Sequence, residues 1–127
     1  MIKIKESKYD IGNTCYNMNK ENIEKVLTLY SQKIKDYFGD KFVIMYLYGS
    51  CARGDYTEYS DIDTFILLNT EKDEIAGKLG EICDIKSDLS VENNVQITSV
   101  IENNEFFEQW KNDNPLFVSV IQDGIEI

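Results

Sequence analysis

The stretch Leu47-Tyr48-Gly49-Ser50-Cys51-Ala52-Arg53-Gly54-Asp55-Tyr56-Thr57-Glu58-Tyr59-Ser60-Asp61-Ile62-Asp63 decides how this chain is read. On its left, Phe42 to Tyr48 is almost continuously apolar, the pattern of a strand covered on both faces, and it ends abruptly at Gly49-Ser50. On its right, Ile62 to Leu68 reads as a second buried strand with charge only at its entrance. Two carboxylates two positions apart on a strand project from the same face, so Asp61 and Asp63 can share oxygens with one or two hard cations. Like charges at the mouth of an apolar strand repel unless a metal or a basic partner neutralises them. Gly49 lets the backbone approach a phosphate, while Ser50 offers a hydroxyl and an amide N–H at the start of a short helix. An anion site thus stands beside a cation site, the pairing that phosphoryl and nucleotidyl transfer require.

Working outward, Ile23, Val26, Leu27, Tyr30, Ile34 and Tyr37 recur at helical spacing, with Asn19 as cap, Glu21 and Glu24 in the first turn and Gly39 as stop signal. Beyond the second strand a helix is expected from about Lys72 to Leu89, with Ile75, Leu79, Ile82, Ile85 and Leu89 on one side. A third strand follows at Val95 to Ile101, with apolar residues at 95, 97 and 101. Then come a short helix around Glu105 to Trp110, a break at Asn114-Pro115, a helix from Leu116 to Gln122 and a tail Gly124 to Ile127. The order α, β, β, α, β, α implies a small mixed α/β sheet backed by helices. Ile2 and Ile4 alternate with Lys3 and Lys5, which fits an edge strand and a frayed arm equally, so residues 1–18 are read as an N-terminal arm.

The 127 residues, 43% of them hydrophobic, suit a single domain, 1–127, that needs no metal or disulfide staple for its core. Three cysteines, Cys15, Cys51 and Cys83, lie far apart with no histidine anywhere, which argues against a zinc site or a disulfide framework and for free thiols in a reducing cytosol. No segment reads as a secretion signal or a membrane span, so a cytoplasmic location is expected. A formal net charge of −10, from 13 basic and 23 acidic residues, repels nucleic-acid phosphates and excludes long DNA or RNA as substrate. It suits a cationic small molecule, a divalent metal or a basic protein partner.

Gly49-Ser50, ten intervening residues, then Asp61-Ile62-Asp63 resembles the Gly-Ser-x10-Asp-x-Asp signature of the minimal nucleotidyltransferases, or MNT proteins, of the polymerase-β superfamily. Ala52-Arg53-Gly54 and Ser60 are similar to that family's usual fillers, and the likeness extends to Asp84 through Ser90, Phe106 and Asn114-Pro115-Leu116. The resemblance implies a polymerase-β-like fold and transfer of a nucleoside monophosphate, usually from ATP with Mg²⁺, to a hydroxyl or similar acceptor. By it, Asp61 and Asp63 are catalytic metal ligands, Gly49 and Ser50 hold the β and γ phosphates, and Arg53 and Ser60 belong to the nucleotide-binding turn. The superfamily generally carries a third carboxylate on the next strand, and the matching position here is Gln96, counted with the catalytic residues. An amide can orient a nucleophile but cannot act as a base at neutral pH. Either Glu92 or Asp88 moves in, or transfer is slow, or the domain only binds nucleotide.

Family members this short lack a helical substrate domain, and many are paired with a helical HEPN toxin to which the MNT member, as antitoxin, adds AMP. That implies AMP transfer to a hydroxyl of a HEPN-type partner, with assembly into homo- or hetero-oligomers open. The rivals are an aminoglycoside-type adenylyltransferase, whose cationic substrate the acidic surface would suit, and a catalytically silent nucleotide-binding or partner-binding module, which Gln96 would suit. Two readings fit Arg53, a triphosphate contact and a helix C-terminus favoured by the dipole. Tyr56 and Tyr59 can stack on a base, although loop aromatics packed on the sheet edge are the simpler expectation. Cys51 has no histidine to activate it, and Trp110, Phe106 and Phe107 are expected to close the core.

Overall fold

The computed structural model describes residues 2–11 and 17–127; Cys15 and its thiol lie outside them. Asn19 stands in extended backbone and its side chain accepts from the Asn22 N–H at 2.9 Å, which caps α1 (Lys20–Phe38). The helix stops at Gly39, whose φ of 58° favours a residue without a Cβ. Its apolar stripe turns Ile23, Val26, Leu27, Tyr30 and Ile34 inward, while Tyr37, expected on the same stripe, is exposed near the helix end.

β1 (Phe42–Tyr48) and β2 (Ile62–Leu68) are the two buried strands that their apolar runs predict, and they pair antiparallel with α2 (Ser50–Arg53) at the turn between them. The expected helix over 72–89 is two helices, α3 (Lys72–Gly77) and α4 (Leu79–Asn93). The break falls at Lys78, between Gly77 and Gly80, where two poor helix formers weaken propagation. The new helix has its own phase, so Leu79 faces solvent rather than the core.

β3 (Ile97–Asn103) starts two residues later than expected because Asn94 takes the left-handed conformation that ends α4. Val95 is buried all the same. Asn103 closes the strand and caps α5 (Asn104–Trp110), its side chain accepting from Phe106 N–H at 2.8 Å. Asn114 does the same for α6 (Pro115–Asp123), with Pro115 in the first turn, where a missing N–H costs nothing. The tail contains β4 (Ile125–Glu126), which pairs antiparallel with Tyr46 and Leu47 of β1.

The sheet order is β3-β2-β1-β4, with β2 and β3 parallel and the other neighbours antiparallel, so the sheet is mixed as expected. Alternation on the strands divides the core. Met45, Leu47, Ile62, Ile66 and Leu68 pack with the α1 stripe and with Ile82 and Leu89 of α4. Phe65 and Leu67 turn the other way, onto Phe107, Phe117 and Val120 of α5 and α6. Trp110 stays 43% exposed beside Phe106, so of the expected core aromatics only Phe107 is fully inside.

Residues 2–11 form no strand. Ile4 is nevertheless buried, and its N–H donates to the Glu24 carboxylate at 2.8 Å. The Lys8 N–H donates to the Gly54 carbonyl and the Tyr56 hydroxyl to the Lys5 carbonyl, tying this segment to the loop after α2. Among the described residues no helix is long and apolar enough to cross a membrane.

Candidate active site

β1 ends at Tyr48, and the chain turns at Gly49 with φ +74° and ψ −152°, a conformation open essentially to glycine alone. The Gly49 carbonyl accepts from the N–H groups of Ala52 and Arg53 as α2 begins. Gly54 closes that helix in left-handed backbone, and a Cβ there would lie 3.2 Å from the Lys5 side chain. Because β2 runs antiparallel to β1, Asp63 comes to lie opposite Tyr48. It comes so close to the turn that a Cβ on Gly49 would stand 2.5 Å from Asp63 Oδ2. The glycine-serine turn and the Asp-x-Asp pair are thus brought together by the strand pairing.

Asp61 precedes β2 and is exposed; Asp63 is half-buried. Partial burial, and then the charge of Asp63, push the Asp61 carboxyl above its usual range. The Tyr48 phenol is also raised, first by burial and then by Asp63. Asp63 Oδ1 accepts from the Thr98 hydroxyl at 2.6 Å. A divalent cation held by both carboxylates would offset the repulsion that raises Asp61.

Gln96 lies immediately before β3 and its carbonyl accepts from Ile62 N–H at 2.8 Å, so it sits beside Asp61. Gln96 is exposed and borders both a notch of about 80 Å³ with Glu58, Tyr59, Ser60 and Asp61 and a larger pocket of about 360 Å³ against Cys83, Lys86 and Ser90 of α4. The residue beside Asp63 in the parallel register is Thr98. Neither substitute acid joins this group in the chain as folded: Asp88 and Glu92 are exposed on α4, which packs against the opposite sheet face. Among the described residues no three acidic, cysteine or histidine side chains are grouped to hold a metal.

The other sequence candidates are sorted by geometry. Ser60 accepts from the Thr57 N–H at 2.8 Å and so closes the loop leading into Asp61. Arg53 is drawn to Asp55 at 3.4 Å and to Asp123 of α6 at 3.8 Å, a pairing neither expectation for it included. Tyr56 is wholly buried, and burial pushes its phenol up to about 12. Tyr59 is 75% exposed at the rim of the notch. Burial, then the charge of Asp63, raises the buried Cys51 thiol to about 12, so no thiolate nucleophile arises there. Tyr48 and Thr98 flank Asp63 without having been singled out. Thr98 could have been suspected, two positions beyond Gln96 on the same strand face, but only the register shows which acid it meets.

The family described as the nucleotidyltransferase domain matches residues 27–123, which include the turn, both acids and the third strand. The chain belongs to this family. A Methanocaldococcus jannaschii protein provisionally named a protein adenylyltransferase is 31% identical over 88 residues, 69% of this chain and 81% of the relative. A second protein of that organism with the same provisional name is 38% identical over 50 residues, 39% of this chain and 34% of its own length. Among solved structures, a Sulfolobus solfataricus chain provisionally described as a nucleotidyltransferase aligns with a TM-score of 0.54 at 17% identity, covering 84% of this chain and 82% of that one. A chain from the toxin-antitoxin MntA-HpeT aligns with a TM-score of 0.50, also at 17% identity, covering 82% and 70%. At such identities the two structures bear on the fold alone, and the nucleotidyltransferase shares theirs, as its element order predicts.

Proposed function

We propose that this nucleotidyltransferase transfers AMP from ATP to a hydroxyl of a partner protein, and that the partner is a HEPN-type toxin for which it serves as antitoxin. The observation that carries the reading is the closeness of Asp63 to the Gly49 turn, which supports a cation ligand standing beside a phosphate-binding turn. The protein adenylyltransferase name of the Methanocaldococcus relatives supports a protein acceptor. The resemblance of the Gly49–Asp63 motif to the minimal nucleotidyltransferases supports the toxin-antitoxin setting, and the fold shared with a chain of MntA-HpeT is compatible with it.

In this reading Asp61 and Asp63 would hold Mg²⁺, which would supply positive charge to offset the negative charge of the triphosphate. Gly49 brings its backbone to the β and γ phosphates, and the Ser50 hydroxyl and N–H donate to them. Gln96, beside Asp61, orients the acceptor hydroxyl through its amide. The acceptor oxygen attacks the α-phosphorus as the bond to pyrophosphate breaks, and the acceptor proton leaves to solvent or to a phosphate oxygen. An acidic surface of net charge −10 draws a basic acceptor, and salt weakens that attraction.

The test is to mix the chain with a purified HEPN protein, ATP and Mg²⁺, and to weigh the partner by mass spectrometry. A gain of one AMP per modified hydroxyl, lost in Asp61→Ala with Asp63→Ala, is the expected result. A partner that binds tightly and never gains AMP would favour the second reading, a silent nucleotide-binding module. That reading draws on Gln96 standing where the family generally has an acid.

A further inference from the structure

We infer that Thr98 is a positioning residue for Asp63: its hydroxyl fixes the rotation of that carboxylate, so that one oxygen is held by β3 and the other is presented at the Gly49 turn. The inference rests on the reading of Asp63 as a metal ligand and adds a residue to it. Thr98 Oγ1 donates to Asp63 Oδ1 at 2.6 Å. An ionised carboxylate only accepts, so the proton comes from threonine, and the distance is that of a charge-assisted O–H···O⁻ bond. Oδ2, the oxygen left over, is the one that stands against Gly49. The two contacts together define the plane of the carboxylate before any cation arrives.

Thr98 is itself held from the far side of the sheet. Its carbonyl accepts from the Thr64 hydroxyl at 2.8 Å. Thr64 Oγ1 lies 2.7 Å from Ser99 Oγ, which lies 2.7 Å from the Tyr30 hydroxyl of α1. Thr64 and Tyr30 are fully buried and Ser99 between them is half-buried, so most of this hydroxyl chain is shielded from bulk water. The parallel ladder of β2 and β3 sets Thr98 beside Asp63, and Tyr30 of α1 adds a hydroxyl contact to Ser99, the next residue of β3. A ligand carboxylate that must find its own rotamer pays entropy on binding; one fixed by a neighbour does not.

The measurement is affinity for Mn²⁺ alone, by electron paramagnetic resonance, in the wild type, Thr98→Ser, Thr98→Val, Thr98→Ala and Asp63→Asn, with a thermal melt of each. Serine keeps the donor, valine keeps the shape, and alanine removes both without crowding. Loss of an outer-shell hydrogen bond weakens metal binding about tenfold. Thr98→Val and Thr98→Ala are expected to show that loss, and Thr98→Ser to stay within twofold of the wild type. Should Thr98→Val and Thr98→Ala melt lower yet bind Mn²⁺ as tightly as the wild type, Thr98 is merely structural and the inference falls. Should Asp63→Asn bind as the wild type does, the fault lies with the reading of Asp63 as a ligand. If valine fails to fold, the comparison of alanine with serine decides the matter.

Discussion

Asp63 Oδ2 stands 2.5 Å from the place a Cβ on Gly49 would occupy, so the carboxylate fills the space a side chain would take. Gly49→Ala then meets two obstacles, a backbone with φ +74° and ψ −152° that costs about 1–3 kcal/mol for an L side chain, and displacement of Asp63. The melting temperature is expected to fall on the order of 5 °C. Nucleotide affinity should fall with it, because the turn and the acid cannot both keep their places. Calorimetry with a non-hydrolysable ATP analogue and Mg²⁺ checks the second part; an alanine variant that binds as the wild type does would separate the turn from the site.

Asp61 gives a prediction whose sign is set by its raised carboxyl, a shift due to burial and to the charge of Asp63. A carboxyl with a higher pKa folded than unfolded holds its proton better in the folded chain. Its ionisation therefore costs stability, fully above the raised value and not at all below the ordinary 3.8. Metal-free protein should lose a little stability as the pH rises through that window, and Asp61→Asn should lack this part of the slope. Asp61 is exposed and solvent screens it, so the gain at pH 7 is a few tenths of a kcal/mol, about 1–2 °C in melting temperature. Mg²⁺ should raise the melting point of the wild type and not of the variant. A metal-free Asp61→Asn that melts below the wild type would contradict the repulsion.

The features legible in the sequence were local ones. The Asn19 cap, the apolar runs Phe42–Tyr48 and Ile62–Leu68 and the Asp-x-Asp pair each draw their signal from neighbours along the chain. What was missed depends on distant partners. Ile125–Glu126 becomes a strand only because Tyr46 and Leu47 lie alongside, and two residues carry no period of their own. The helix expected through residue 89 breaks at Lys78, since Gly77 and Gly80 weaken it where the apolar spacing alone runs on. Tyr56 sits among polar residues yet is buried, because the Lys5 carbonyl takes its hydroxyl and residues 2–11 cover the loop. The neighbours of Asp63 are a matter of register, and a slip of one residue would have replaced Thr98 by a residue of the opposite face.

The two described thiols should react very differently. Cys51 is buried and its thiol pushed up to about 12, leaving roughly a thousandfold less thiolate at pH 8 than an ordinary cysteine. Cys83 is exposed on α4. Peptide mapping after brief iodoacetamide treatment of the native chain should find Cys83 alkylated and Cys51 protected, with protection lost in denaturant. Rapid native labelling of Cys51 would mean that the Gly49–Gly54 turn opens far more often than its packing implies.

Tyr30 tests the buried hydroxyls from the other end. Tyr30→Phe keeps the ring among Ile23, Leu27 and Ile34 but leaves the Ser99 hydroxyl one partner short. Loss of one such bond costs about 1 kcal/mol, a few degrees of melting temperature. An unchanged melting point would show that Ser99 and Thr64 satisfy each other without help from α1.

Gln96 gives the prediction that bears most directly on catalysis. It stands beside Asp61 through the bond from Ile62 N–H to its carbonyl, and it borders the notch of Glu58, Tyr59, Ser60 and Asp61. A carboxylate in its place would add an anionic oxygen donor and a proton acceptor where the amide supplies only a neutral carbonyl oxygen. It would also add a like charge to Asp61, so Gln96→Asp should be less stable without metal and gain more from Mg²⁺ than the wild type does. AMP transfer is expected to be preserved or to rise several-fold, well short of the 10²–10⁴ a fully placed general base can supply. Gln96→Ala is the companion arm: if the amide orients the acceptor, its removal lowers kcat with little change in the apparent affinity for ATP. Steady-state rates for the three forms decide the matter. A clear loss of transfer in Gln96→Asp, matched by Gln96→Ala, would give the amide a specific hydrogen-bonding role that a carboxylate cannot take.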